Sequence, residues 1–189
     1  MSKQTILEAA AKIFSQKGYH ATSMNDIANS VNLQKASLYH HVSSKQEILV
    51  SILDEALDLI NNRVGDVVEL PIPTDEKMRI AVREYLSTLT EQPNLAGVLL
   101  LEYKSLTPEY HARHIPKRDK FEQIWRDLLQ LGVDEGHFFI SDVHMTTRAL
   151  LGLMNWVVTW YKESGALSIF EIADQYSELF LNGIMADKT

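Results

Sequence analysis

Hydrophobic residues recur every three or four positions along almost the whole chain, which is the spacing of helices that bury one face. The first such stretch runs from Ile6 to Phe14 and stops at Gly18, a residue that readily adopts the conformation of a helix end. Clear alternation of the kind that marks a strand is absent outside residues 137–140. The pattern therefore predicts an all-α fold.

Two short helices and one longer helix are predicted next. Ser23 and Asp26 stand three apart like a capping box and open the first short helix, after which Asn32, a residue that tolerates positive φ, turns the chain. The second short helix is marked by the apolar positions Leu33, Ala36, Leu38 and Val42. Ser44 and Glu47 form a full capping box, which begins the longer helix.

Glycine and proline divide the rest of the chain into longer helices. A break is predicted at Gly65, and the proline-containing segment 71–75 is a candidate linker or loop. Pro108 starts a later helical segment, which Pro116 is expected to interrupt. We expect helices near residues 75–91, 95–105, 108–131, 141–163 and 168–186.

The net charge of −7 argues at first against a nucleic-acid partner, but the charge is unevenly distributed. Residues 1–50 carry five lysines against three acidic residues, or +2, which leaves 13 basic and 22 acidic residues, or −9, for the remainder. Such asymmetry is typical of an interaction module joined to a different body. The absence of cysteine also excludes disulfides and thiolate metal sites.

The chain shows no secretion or membrane signal. Glu8 and Lys12 interrupt the apolar start that a signal peptide would need. The most apolar run, residues 149–161, is shorter than the ~20 residues needed to span a bilayer, so it is predicted to be a buried helix. We therefore expect a cytoplasmic protein with no membrane partner.

The layout of the N-terminal helices is that of a helix-turn-helix module, with the second short helix as the reading helix. Helical spacing turns Leu38 and Val42 inward and leaves the outward face to Gln34, Lys35, Ala36, Ser37 and His41. Short and polar side chains on that face can approach base edges. A small three-helix bundle with a polar outer face is the alternative that periodicity alone leaves open.

Residues 18–49 closely resemble the TetR family of bacterial transcriptional regulators. The matching residues are Gly18, Thr22, Ser23, Asp26-Ile27-Ala28, Lys35, Ser37-Leu38-Tyr39, His41-Val42, Lys45 and Glu47. Gln34 and Ala36 depart from the family, which often has serine and glycine at these positions. The resemblance implies a DNA-binding domain over residues 1–47 and a ligand-binding and dimerisation domain over residues 48–189.

The resemblance also implies roles for individual side chains. Hydroxyls of Thr22 or Ser23 and of Tyr39 donate to phosphates, and Lys45 neutralises a phosphate at a helix start. Ser23 and Ser44 are interpreted either as helix caps or as phosphate contacts. Lys35, with Gln34 and Ser37, faces the bases. The candidate DNA-contacting residues are Thr22, Ser23, Gln34, Lys35, Ala36, Ser37, Tyr39, His40 and Lys45.

The last two predicted helices carry more apolar surface than one packing partner can cover. A stripe from Ile169 to Ile184 is wide enough to serve an intramolecular core and a second subunit together. TetR-family proteins usually dimerise through their last two long helices as a four-helix bundle. The resemblance thus implies a homodimer, through the helices near 141–163 and 168–186, on a roughly palindromic operator.

Residues 113–138 and 149–184 resemble the TetR subgroup that represses fatty-acid, aromatic-acid or steroid-ring catabolism and is released by acyl-CoA thioesters. The elements that carry this resemblance are Arg118-Asp119, Asn155-Trp156, Trp160-Tyr161 and Gly165. Such an effector needs an apolar cavity with cationic groups near its mouth. The candidate ligand-binding residues are Tyr103, Arg113, Lys117, Arg118, Phe121, Trp125, Arg148, Met154, Asn155 and Trp156. Plain core packing and a solvated charged face are the alternatives for these residues.

Other chemistry is not supported by the sequence. His111 and His114 could share a helix face, but with no convincing third ligand they are interpreted as a solvated pair. No nucleophile–base arrangement or glycine-rich phosphate loop is present, so we expect neither an enzyme nor a cofactor apart from the effector. The two resemblances therefore imply a repressor released by an acyl-CoA. The alternatives are a sensor of a drug or free fatty acid, and a helical ligand-binding protein without DNA affinity.

Overall fold

The computed structural model describes residues 2–184, and within that range every regular element is a helix. The α-helices are α1 (Lys3–Lys17), α2 (Met24–Ser30), α3 (Lys35–Leu38), α4 (Lys45–Val68), α5 (Thr74–Glu91), α6 (Pro93–Leu101), α7 (Pro108–Asp134), α8 (Val143–Asn155), α9 (Val157–Trp160) and α10 (Ile169–Ile184). A 3-10 turn, Tyr103–Ser105, lies between α6 and α7. The all-α prediction is confirmed. None of the described helices is both long and apolar enough to cross a membrane.

The local signals at the ends of the first helices act as predicted. Gly18 ends α1 with a φ of 84°, and Asn32 turns the chain at a φ of 54°. At the start of α2, Ser23 and Asp26 make both bonds of a capping box, because each side chain accepts the backbone N–H of the other residue. These residues satisfy backbone donors that would otherwise lack partners.

Two helices continue through residues that were predicted to interrupt them. Helix α4 runs through Gly65 to Val68, and α7 runs through Pro116 to Asp134. A glycine inside a helix costs only about 1 kcal/mol, and buried neighbours such as Val64 offset it. Pro116 removes one backbone hydrogen bond, but α7 buries His114 before it and Phe121 after it. Packing therefore overrides both local signals.

The single helix predicted over residues 141–163 is wrong. Helix α8 ends at Asn155, and the four-residue α9 follows after Trp156. The hydroxyl of Thr159 donates to the Trp156 carbonyl at 2.7 Å, and the Thr159 N–H donates to the same oxygen at 3.1 Å. Threonine competes in this way with regular helical bonding. The helix predicted over residues 95–105 likewise ends at Leu101 and is followed by the 3-10 turn.

The described residues divide into two compact units, residues 2–58 with 92–118, and residues 59–91 with 119–184. Helices α4 and α7 each supply residues to both units. In the first unit α1 packs on α2 and α6, around a core that includes Phe14, Ile27 and Leu38. This unit therefore adds segment 92–118 to the N-terminal module, a grouping that the sequence did not suggest.

The second unit is built on the packing of α10 against α5, which also contacts α9. Its buried side chains include Tyr85, Trp125 and Met154. On the outer side of the α5–α10 packing, Arg83 makes two bonds to Asp174 at 2.7 and 2.8 Å. That ion pair is exposed, so it adds little to stability beside the apolar contacts.

Candidate nucleic-acid interface and ligand site

The start of α3 faces solvent because Leu38 and Val42 hold this segment against the core. Leu38 and Val42 are buried, which confirms their predicted inward orientation. Gln34, Lys35 and Ala36 are exposed, and Ser37 is half-buried. The side chain of Gln34 makes no capping bond at the helix start. The outward face of α3 is therefore short, polar and accessible.

Two further candidates, Tyr39 and His40, follow α3 in the chain and are exposed. Ser23 is exposed as well, but its hydroxyl donates to Asp26 Oδ2 at 2.8 Å and accepts the Asp26 N–H at 3.1 Å. The N–H of Ser23 and the nearby ammonium of Lys17 hold the pKa of Asp26 at about 2. Ser23 therefore caps α2 in this structure.

Thr22 lies inside the first unit, with 2% of its surface exposed. Its hydroxyl donates to the Gly18 carbonyl at 2.8 Å, and its N–H donates to the Tyr19 carbonyl at 3.1 Å. Both donors are therefore engaged within the loop between α1 and α2. In this conformation the Thr22 side chain shapes that loop and does not face solvent.

Lys45, at the first turn of α4, binds the same loop. Its ammonium donates to the carbonyls of Tyr19 (2.9 Å) and Thr22 (2.6 Å), and lies 4.2 Å from the centre of the Tyr19 ring. Partial burial lowers the pKa of Lys45. The lysine thus fixes the α1–α2 loop to the start of α4, a structural role beyond the phosphate contact expected from sequence.

The start of α4 is also capped and tied to α1. Ser44 Oγ accepts the Glu47 N–H at 3.0 Å, while Glu47 Oε2 accepts the Ser43 N–H at 2.6 Å. The ammonium of Lys3 lies 2.7 Å from Glu47 and, with the bonds from Ser43, lowers the pKa of Glu47 to about 2. Ser44 acts as a helix cap here, one of the two roles considered for it.

Six candidate ligand residues lie in the second unit, and three of them surround one buried tyrosine that the sequence did not single out. Tyr85 stacks on Phe121 at 5.6 Å between ring centres and meets Trp125 edge to face at 5.7 Å. Its hydroxyl donates to Asn155 Oδ1 at 2.5 Å. Burial raises the pKa of Tyr85, so the hydroxyl stays protonated. We call Tyr85, Phe121, Trp125 and Asn155 the aromatic cluster.

The indole N–H of Trp125 is the unusual feature of the aromatic cluster. The residue is fully buried, and Nε1 has no hydrogen-bond acceptor. An unpaired buried donor is costly, so it marks a position where a bound acceptor would be stabilising. Of the other candidates in this unit, Met154 is fully buried, whereas Arg148 and Trp156 are exposed.

The remaining four candidate ligand residues lie in the first unit. Lys117 pairs with Asp58 at 2.5 Å, and the guanidinium of Arg113 lies 5.3 Å from the centre of the Tyr110 ring. Arg118 is exposed and Tyr103 is half-buried. Lys117 therefore has a carboxylate partner in this structure.

The prediction of a solvated histidine pair is wrong for His114. This residue is buried, and its Nδ1 lies 2.8 Å from Oδ1 of Asp54 on α4. The partner lies 60 residues away in the sequence, so local spacing gave no sign of it. Within residues 2–184 no group of three or more histidine, aspartate or glutamate side chains could hold a metal ion.

Apolar side chains also reach solvent on the helices expected to form a dimer. Among them are Met145 on α8 and Phe170 and Leu179 on α10, which are 57%, 55% and 68% exposed. Such surface is costly to leave in water, which favours its burial against a partner. Phe170 and Leu179 lie about half a turn apart around α10, so we call these three residues the exposed apolar positions.

Comparison with known proteins fits both parts of the chain. Residues 6–52 match the family described as bacterial regulatory proteins, tetR family, and residues 71–184 match the family described as tetracyclin repressor-like, C-terminal domain. The chain belongs to the TetR family. It is thus a helix-turn-helix, DNA-binding transcriptional repressor and not an enzyme.

Several TetR-family relatives are similar over nearly the full length. The transcriptional repressor KstR2 of Mycobacterium tuberculosis is 29% identical over 182 residues, covering 95% of this chain and 90% of the relative. The TetR-family regulator PfmR from Thermus thermophilus is 36% identical, with a TM-score of 0.86 over 94% of this chain and 97% of PfmR. AibR, solved with isovaleryl coenzyme A and operator DNA, is 26% identical, with a TM-score of 0.87 over 94% and 96% of the two chains.

Proposed function

We propose that this TetR-family protein is a homodimeric repressor that binds a palindromic operator through α3 and is released by an acyl-CoA bound in its C-terminal part. The observation that carries the proposal is the full-length similarity to AibR, which has been solved with isovaleryl coenzyme A and operator DNA together. A regulator of this kind works beside the chromosome, so the cytoplasmic location belongs to the same proposal.

The exposed face of α3 supports the role in reading DNA. Lys35 presents an ammonium that can donate to guanine acceptors, and Gln34 and Ser37 lie within two positions of it in the chain. Tyr39 is 47% exposed, and its hydroxyl is available for a phosphate. Base contacts specify the DNA sequence, whereas phosphate contacts position the protein on any sequence. Loss of Lys35 is therefore expected to lower sequence preference, and loss of Tyr39 to weaken binding to all duplexes.

Two matched lysine variants test the reading role. An operator duplex is first selected from a random pool, and binding to it and to a scrambled duplex is measured by fluorescence anisotropy. Lys35→Ala should lower the preference for the selected duplex by about tenfold or more, because a good base contact discriminates by ~1–3 kcal/mol. Lys12→Ala, an exposed lysine on α1, should leave that preference unchanged. Equal behaviour of the two variants would contradict the assignment of α3.

The exposed apolar positions on α8 and α10 support the homodimer. A two-fold partner would cover exposed apolar side chains such as Leu179, and a two-fold dimer presents two reading helices to a palindromic operator. Leu179→Asp should therefore dissociate the dimer in analytical ultracentrifugation, since it buries a carboxylate in an apolar interface. Gln130→Asp, which adds the same charge at an exposed site on α7, is the control. A monomeric wild-type protein would overturn this part of the proposal.

The aromatic cluster supports an acyl group as effector. Its rings offer apolar contact, and the unpaired Trp125 N–H needs an acceptor such as the carbonyl oxygen of a thioester. Release from DNA then follows if the effector binds more tightly to a conformation that does not fit the operator.

Titration of the protein–operator complex tests the effector class. Isovaleryl-CoA, longer-chain and ring-containing acyl-CoAs, CoA alone and the corresponding free acids are added in parallel. The proposal expects release by a thioester but not by CoA alone. A complex that no acyl-CoA dissociates would refute the effector and leave the role of α3 in place.

A second effector class is favoured by one feature of the aromatic cluster. Its polar groups, from Tyr85, Asn155 and Trp125, are all neutral. Tyr85 and Asn155 already bond to each other, so a neutral hydrophobic molecule with one acceptor would satisfy the Trp125 N–H without any cationic partner. Release by a free compound at lower concentration than by its CoA thioester would select this alternative.

A further inference from the structure

The side chain of Gln46, on α4, makes three hydrogen bonds to parts of the first unit that are distant in the sequence. Its Nε2 donates to Tyr19 Oη at 2.7 Å and to the Ser105 carbonyl at 2.8 Å. Its Oε1 accepts the Thr107 N–H at 2.9 Å. One half-buried amide on α4 thus joins the loop after α1 to the segment between α6 and α7.

Tyr19, the residue that Gln46 holds on the loop side, is fixed at both ends. Its hydroxyl accepts from Gln46, and its carbonyl accepts from the ammonium of Lys45 and the N–H of Thr22. The ring is buried and packs edge to face on Phe14 at 5.3 Å. Tyr19 lies four residues before the cap of α2, so its position sets where the helix-turn-helix begins.

The segment on the other side of Gln46 has few alternative attachments to the helix-turn-helix module. The hydroxyl of Ser105 lies 3.2 Å from Nε2 of His20, and Ser44 Oγ lies 3.4 Å from Tyr110 Oη. Both are longer than the three bonds of Gln46 and join exposed or rotatable groups. Since Thr107 directly precedes α7, the amide of Gln46 connects the start of α7 to Tyr19 through two hydrogen bonds.

We propose that Gln46 is a positioning residue that couples the 103–107 segment to the helix-turn-helix, so that operator recognition depends on its three-way hydrogen bond. This inference rests on the proposed function. Only an amide fits the site, because it must donate to a carbonyl and accept from a backbone N–H at the same time. A glutamate there keeps the acceptor and loses the donor.

Binding to the operator depends on the competent fraction, which is the fraction of molecules in which α3 is positioned to contact the bases. Without Gln46 the loop and the 103–107 segment move independently, and the competent fraction falls. Apparent affinity for the operator falls in the same ratio. Contacts to phosphates depend less on fine geometry than base contacts do, so affinity for a scrambled duplex changes little.

The test uses the full-length protein with Gln46→Ala and Gln46→Glu, and Gln130→Ala as the control. Gln130 is an exposed glutamine on α7 whose amide donates to Asp134. Both Gln46 variants should lose about tenfold in affinity for the selected operator, because the hydrogen bonds that hold the loop to the 103–107 segment are lost. Affinity for the scrambled duplex should stay within about twofold of wild type, since phosphate contacts persist.

A double-mutant cycle with Tyr19→Phe tests whether Gln46 acts through Tyr19. Tyr19→Phe removes one partner of the amide and keeps the ring. If the two residues act together, the double variant should bind the operator no more weakly than Gln46→Ala alone. Additive losses would overturn the inference, as would an unchanged ratio of operator to scrambled affinity. Parallel losses on both duplexes with a lowered melting temperature would reduce Gln46 to a fold-stabilising residue.

Failure of the inference can be told apart from failure of the proposed function. If the wild-type protein selects no duplex, the proposed function is wrong, and the inference falls with it. If the wild type discriminates between duplexes and Gln46→Ala discriminates as well, only the inference is wrong. Hydrogen exchange should also rise at the 103–107 amides in Gln46→Ala and not in Gln130→Ala.

Discussion

Replacing Lys45 by methionine separates two roles that the sequence and the structure assign to one side chain. The resemblance to the TetR family implies a phosphate contact, whereas the structure shows the ammonium bound to the carbonyls of Tyr19 and Thr22. An ammonium carries three donors, so two serve the loop and one remains for a phosphate. Methionine keeps the length of the side chain and removes the charge.

The expected loss of stability follows from which carbonyl loses its partner. The Tyr19 carbonyl keeps a bond from the Thr22 N–H at 3.1 Å, so Lys45→Met chiefly removes the 2.6 Å bond to the Thr22 carbonyl. Bonds from charged donors contribute about 1.5–3 kcal/mol, and the contact with the Tyr19 ring adds roughly 0.5–1 kcal/mol. Relief from desolvating the ammonium offsets part of this. We expect a net loss of about 2 kcal/mol.

Two assays read the two roles. Urea unfolding followed by circular dichroism measures the loss of stability, and operator affinity at several salt concentrations measures the number of phosphates neutralised. Lys45→Met should lower the slope of log affinity against log salt by ~0.9 per subunit. Lys45→Arg, which keeps the charge in a different shape, should retain the slope and lose part of the stability.

Each outcome of these assays refutes a specific step. Unchanged stability in Lys45→Met would show that the two carbonyl bonds contribute nothing net. An unchanged salt slope, together with the loss of stability, would leave Lys45 with the structural role alone.

Three other perturbations have directions set by the structure. The pKa of Glu47 is about 2 in the folded state against an ordinary 4.5. The contribution of its ionised carboxylate to stability is therefore complete above pH 4.5 and is lost as the pH falls toward 2. Glu47→Gln should flatten the dependence of the unfolding free energy on pH over that range. Gly132→Ala should cost about 1–3 kcal/mol in urea unfolding, because its Cβ would lie 2.1 Å from the buried ring of Phe138. Tyr85→Phe should cost about 1 kcal/mol in the same assay, through the lost bond to its amide acceptor on α8.

A second helical glycine serves as the control for Gly132→Ala, and each of the other variants has an outcome that would contradict it. Gly152→Ala on α8 meets no atom within 4 Å and should stabilise the helix by up to about 1 kcal/mol, so a similar loss in both glycine variants would contradict the steric argument. If Glu47→Gln and the wild type unfold along the same curve in acid, Glu47 does not contribute to acid unfolding. For Tyr85→Phe, stability equal to wild type would show that the buried bond to Asn155 has no net value.

Local signals explain why much of the N-terminal module could be predicted. Gly18, Ser23 and Asn32 act on backbone groups within four residues of themselves, so the sequence contains both partners of each interaction. The inward orientation of Leu38 and Val42 follows from helical spacing and is seen in their burial. The family was recognisable for the same reason, since its matching residues lie within one continuous stretch, 18–49.

The candidate functional sites were less predictable, because the type of a residue indicates which interactions it can make but not which residue it will contact. Thr22 and Lys45 were expected to contact phosphates. In the structure the Thr22 hydroxyl and the Lys45 ammonium both donate to carbonyls of the α1–α2 loop. Trp125 was singled out as a ligand residue, but Tyr85, which packs against it, was not. Nothing in the spacing along α5 distinguishes Tyr85 from ordinary core.

The sequence by itself determined the all-α class, the caps of the N-terminal helices and the burial of Leu38 and Val42, because each depends on neighbours three or four positions away. It also showed the family, because the matching residues lie in one continuous stretch. Only the tertiary structure decided which polar groups meet. Gln46 with Thr107, Asp54 with His114 and Tyr85 with Asn155 pair across 60 to 70 residues. Such pairs form when packing brings helices together, and no local periodicity records which helices those are.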